Sequence, residues 1–95
     1  MNYAKTIKDL RINRMNEKQS TFASNIEITQ TRLSHIENGK KEPTGYELQD
    51  IADHVKIPYQ VLFFMCYSET DISPEKREAF KILKPTIDEM IKTIF

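Results

Sequence analysis

Cysteine, glycine and tryptophan are scarce in this sequence: 95 residues contain one Cys, 2 Gly and no Trp. Cys66 alone can neither close an internal disulfide nor supply the thiol pair of a zinc knuckle, which fits a reducing compartment. The cytoplasm is therefore the expected location. With only Gly39 and Gly45, a glycine-rich phosphate loop has nothing to be built from. Long apolar runs are missing as well. The longest, Val61 to Tyr67, falls far short of the roughly 20 residues that span a bilayer, and Met1 to Lys5 carries no apolar signal core. No membrane or export role is expected.

What is present is a balanced globular composition, 39% hydrophobic and 29% charged, of a size suited to one domain. The formal net charge of +0 hides an asymmetry. Residues 1–41 hold eight Lys and Arg against four Asp and Glu, whereas residues 42–95 hold six against ten. A basic half beside an acidic half points the first toward a polyanion.

Helical spacing dominates the chain. Ile7, Leu10 and Met15 form one stripe over residues 3–15, with Lys8, Arg11 and Arg14 on another. Asn16 with Gln19 three residues on reads as the capped start of a short second helix bearing Phe22, Ala23 and Ile26. Thr29 suits the N-cap of a third helix, residues 30–38, in which Leu33 and Ile36 face inward and Asn38-Gly39 supplies a left-handed stop. Thr44 and Glu47 form a second capping box ahead of Leu48, Ile51, Ala52 and Val55. Pro58 precedes a fifth short helix with inward Leu62 and Phe63. Ser73-Pro74-Glu75 reads as N-cap, N1 proline and a dipole-favourable acid for a terminal helix, which Pro85 is expected to kink or divide into two pieces. No stretch alternates as strands do, so the fold is expected to be all-α.

The second and third helices, joined by Glu27-Ile28-Thr29, have the helix-turn-helix arrangement, with small Ala23 at the close crossing. From Ile7 to Phe63 the sequence resembles the Cro and phage-repressor type of helix-turn-helix family. The resemblance rests on Leu10-Arg11, Gln19 with Ala23, Ile28-Thr29, Leu33 with Ile36-Glu37, Asn38-Gly39-Lys40, Pro43, Leu48, Ile51-Ala52 and Val55. It differs in having Glu27 where the family usually has glycine, and in one extra residue between Leu10 and Gln19. It implies a five-helix lambda-repressor-like DNA-binding domain over residues 1–67, followed by a helical extension over 68–95.

In such a fold the second helix of the pair enters the DNA major groove. The resemblance thus implies base contacts from Gln30, Thr31, Arg32 and His35. Gln can bond adenine bidentately, a Thr methyl can meet thymine, and Arg can grip guanine or a phosphate. It also implies phosphate contacts from Gln19, Thr29, Ser34, Asn38, Lys40 and Lys41, aided by backbone N–H groups around Asn38-Gly39, with Arg11 or Arg14 reaching the flanking backbone. No cofactor or metal is implied. His35-Ile36-Glu37 has the His-x-Glu form of zinc deaminases, but the cysteine pair that completes that site is absent; His54 reads as a surface or core-edge residue. An enzyme is not expected.

Phe80, Leu83, Ile87, Met90 and Ile94 recur at alternating spacings of three and four. Together with Phe64, Met65 and Tyr67 they either pack onto the chain's own core or form a homodimer interface, and the second is the expectation. The implied protein is a transcriptional regulator, with repression the expected sign, that binds double-stranded operator DNA as a homodimer. Alternatives are an antitoxin whose tail holds a protein partner, and an interaction module without DNA function.

Overall fold

A computed structural model describes residues 1–95 and contains helices but no strands. The first, α1 (Tyr3–Asp9), is capped by Asn2, whose side chain accepts from Lys5 N at 3.2 Å. It runs without a break into a π-helical turn, Leu10–Arg14, in which Met15 N donates to Leu10 O at 2.9 Å. A π-turn fits one more residue into the same helical rise. It thereby absorbs the extra residue between Leu10 and Gln19. Asn16, expected to cap the second helix, instead ends the first: its φ is 53°, a left-handed value that Asn tolerates, and Glu17 N donates back to Arg11 O at 3.1 Å. Helix α2 (Gln19–Asn25) begins after extended Lys18 with no side-chain cap.

Helix α3 (Gln30–Glu37) opens as its sequence indicates, with Thr29 Oγ1 accepting from Arg32 N at 3.0 Å, and Gly39 behind it has φ 74°. In the turn between α2 and α3, Glu27 has φ 60°. The turn therefore keeps its left-handed residue although no glycine is there to take it. Helix α4 (Gly45–Val55) starts with both halves of the Thr44–Glu47 capping box formed, at 3.1 and 2.8 Å. Helix α5 (Tyr59–Met65) follows Pro58.

Two single 3-10 turns, Glu69–Asp71 and Pro74–Lys76, lead to α6 (Arg77–Ile94). Ser73 makes no side-chain cap, and α6 is one helix, not two pieces. A proline inside a helix removes one hydrogen bond and crowds the preceding turn, at roughly 3 kcal/mol. Here anchors on both sides of Pro85 oppose that cost. Lys84 Nζ donates to Met65 O at 2.9 Å, Lys92 pairs with Asp9 at 2.9 Å, and Ile91 is buried. No helix is long and apolar enough to cross a membrane.

The core gathers one stripe from every helix: Ile7 and Leu10, Phe22 and Ala23, Leu33 and Ile36, the α4 stripe, Leu62 and Met65, and finally Ile91. The seam expected over residues 80–94 is divided. Phe80 and Ile87 are half-buried, whereas Leu83, Met90 and Ile94 are exposed. Met65 is a core residue, not a surface one, and Phe64 and Tyr67 are half-buried, their rings 5.8 Å apart. The spacing overlooked Ile91 because Met90 beside it satisfies the same alternation.

Relieving the left-handed strain at Glu27 is worth about 1–2 kcal/mol, and the added chain entropy of glycine takes back about 0.4–1 kcal/mol. Glu27→Gly is expected to raise the unfolding free energy by roughly 0.5–1 kcal/mol, read as a higher urea midpoint at unchanged slope.

Candidate nucleic-acid interface

The orientation of α3 is set from behind by a buried ion pair. Arg11 Nε and Nη2 donate to the two carboxylate oxygens of Glu37 at 2.7 and 2.9 Å, and both side chains are at most 10% exposed. Glu37 Oε1 also accepts from Gln19 Nε2 at 3.1 Å, and Arg11 Nη1 donates to Glu17 O at 2.9 Å. One carboxylate therefore joins the π-turn after α1, the start of α2 and the end of α3. With Leu33 and Ile36 fully buried on the same side, the opposite face of α3 has to point outward.

That outward face is polar. Gln30 and Thr31 are exposed at the helix start, Ser34 and His35 are partly exposed behind them, and all four line a shallow groove with Gln19. Five of the residues singled out from the sequence thus share one surface, and no hydrophobic side chain lines it. Thr29 and Asn38 mark its two ends. Thr29 Oγ1 is engaged as the cap, and Asn38 Nδ2 donates to Ser34 Oγ at 3.3 Å.

Arg32 stands apart. Its Nε and Nη2 donate to Glu47 Oε2 and Oε1 at 2.9 and 2.8 Å, and Nη2 also reaches Glu42 O at 2.9 Å. The guanidinium expected against a base instead ties α3 to the start of α4, and through Glu42 it holds the loop that carries Lys40 and Lys41. The Arg32 hydrogen bonds keep the Glu47 carboxyl below its ordinary value. The tie is therefore complete above the usual carboxylate range and lost as pH falls through the lowered value.

Three other expectations are corrected. Arg11 is consumed by Glu37, and Arg14 donates to Val55 O at 2.8 Å and Lys92 O at 3.2 Å, so neither is free for a flanking phosphate. The backbone N–H groups of residues 38–41 are also engaged, bonding to the carbonyls of Ser34, Ile36 and His35 at 2.9–3.2 Å. The cations left bare around the groove are Lys40, Lys41 and Lys18, and none of them has an ion-pair partner. Lys18 was missed because Asn16 seemed to mark the helix start two residues too early. His54 sits at the core edge as anticipated, with Nε2 2.8 Å from Glu17 Oε1 and its ring edge-on to Phe22.

A helix-turn-helix family model matches residues 7–62. The chain belongs to the Cro and phage-repressor type of helix-turn-helix family. No curated protein and no solved structure matches it. Membership of this helix-turn-helix family makes the chain a DNA-binding transcription regulator, and its helical domain fits the lambda-repressor-like fold. In this chain α3 is the second helix of the helix-turn-helix pair.

Removing one partner of a buried pair leaves an uncompensated charge and typically costs about 3–5 kcal/mol, a large share of a domain's total stability. Glu37→Leu is expected to lose that much in a denaturant titration. The double variant Arg11→Met with Glu37→Leu should regain most of it, which a double-mutant cycle measures.

Proposed function

We propose that the chain is a repressor that binds a palindromic operator as a homodimer. Gln30, Thr31 and His35 read base edges in the major groove, and Lys18, Lys40 and Lys41, with Gln19, Thr29, Ser34 and Asn38, hold phosphates. The observation that carries this reading is the bare polar face of α3, flanked by unpaired lysines, on a helix whose other side is locked by apolar contacts and an ion pair. That face has Gln30 and Thr31 with free donors and acceptors at the helix start, where base contacts are made in this docking geometry, and His35 one turn further along.

The homodimer follows from how few contacts one such helix makes. A symmetric pair reads two half-sites one duplex turn apart, about 34–36 Å. Repression is the sign that needs least from the protein, since an occupied operator excludes polymerase without any further contact. Arg32 acts in this reading as a brace for the Lys40-Lys41 loop, not as a base reader.

Selection of bound duplexes from a random pool at controlled salt is expected to enrich a palindrome. Gln30→Ala should relax preference at one base position of each half-site, at about 1–3 kcal/mol. Lys40→Ala should weaken binding to all sequences and lower the salt slope by about one per chain. Arg32→Ala should weaken binding evenly across sequences. A loss of preference at a single base position in that variant would return Arg32 to the base readers.

A further inference from the structure

Helix α6 has more apolar surface than its own chain covers. Phe80, Ile87 and Ile91 turn toward the body, but Ala79, Ile82, Leu83, Thr86, Met90 and Ile94 are all exposed. Ile82 is 70% bare and Ile94 68%. At 100° per residue these six lie in an arc of about 120°, and every charged residue of α6 falls outside it. Thr93 lies in the same arc and bonds its hydroxyl to Glu89 O at 2.9 Å, leaving its methyl as the outer group. The other side of the helix is held by Lys84, Lys92 and the Arg14 contact to Lys92 O, so the bare arc is fixed in place.

We propose that this arc is covered by the α6 of a second copy of the chain, running antiparallel about a two-fold axis between Thr86 and Ile87. This rests on the paired-chain reading above and supplies its surface. The residue sizes are self-complementary in that direction. Leu83 comes opposite Met90 of the second copy, small Ala79 receives Ile94, and the two Thr86 side chains flank the axis, about 1.5 Å apart along it. A parallel pair would set Ala79 against Ala79 as a thin layer and Ile94 against Ile94 as a wide one, so the sizes would not be matched across the seam.

The area is also adequate. Together with exposed Ala79, Thr86 and Thr93, the bare parts of Ile82, Leu83, Met90 and Ile94 come to roughly 500 Å² per chain. That gives roughly 1,000 Å² across the pair, the lower bound for a specific interface. The arc is uncharged and the chain has formal net charge +0, so a second copy meets no like-charge repulsion and a charged partner finds nothing to pair with. Antiparallel helices also oppose their dipoles favourably.

The test uses the full chain without DNA. Light scattering at micromolar concentration is expected to give twice 11.2 kDa. Leu83→Glu should weaken pairing by roughly 30-fold or more while leaving the helical circular dichroism signal intact. Under mild thiol oxidation Thr86→Cys should cross-link to itself within the pair. Leu83→Cys should not, because the two positions are about 10 Å apart along the axes, beyond disulfide reach. Cys66 adds no background, since burial pushes its thiol up to about 11.

A monomer in light scattering overturns the proposal, as does efficient self-linking of both cysteine variants, which indicates parallel helices. An arc protected only when a different protein is added also overturns it, in favour of a partner-binding tail. A chain that pairs as described yet ignores every duplex supports this inference and overturns the DNA reading instead.

Discussion

The carboxylate of Glu37 is the point on which the orientation of α3 and its exposed polar face depends. It lies at the end of α3, takes Nε and Nη2 of Arg11 from the turn after α1, and takes the Gln19 amide from the first residue of α2. Packing of fully buried Leu33 and Ile36 sets which face of α3 turns inward, but it carries no directional bond. A bidentate guanidinium–carboxylate fork accepts one orientation. Gln30 and Thr31 therefore stand on a helix held from behind by apolar contacts and a largely buried charge pair. The pair's net worth to folding is small compared with the cost of breaking it, and specificity of orientation is what it contributes.

The π-turn belongs to the same device. One added residue between Leu10 and Gln19 displaces α2 if the first helix stays regular. Widening the helix over Leu10–Arg14 takes up the insertion while leaving Arg11 facing Glu37 and sending Arg14 to the carbonyl ends of α4 and α6. A family pattern with an irregular spacing thus reaches the usual helix-turn-helix arrangement through a local change in helical pitch.

Most of the helices and the groove could be read from the chain. Caps at Thr29 and Thr44, the left-handed Gly39 and the α4 stripe are local signals with local causes, and they appear as written. The departures come from contacts over long sequence distances. Asn16 carries the chemistry of either an N-cap or a left-handed stop, and which one it adopts depends on where the π-turn ends. The arginines were legible as cations but not as partners. Arg11 and Glu37 are 26 residues apart, Arg14 and Val55 are 41 apart, and Arg32 finds Glu47 only once α3 and α4 are packed. Pro85 has the properties of a helix breaker, yet tertiary anchors on both sides of it keep α6 whole.

Arg14 has one more consequence. By bonding Val55 O at the end of α4 and Lys92 O in the last turn of α6 with a single side chain, it ties the far end of the C-terminal extension back to the body of the chain. Two such chains joined through α6 would behave as a rigid caliper and not as two heads on a tether. The gap between their reading faces would be set by the protein, and an operator lengthened by one base pair would have to twist to fit.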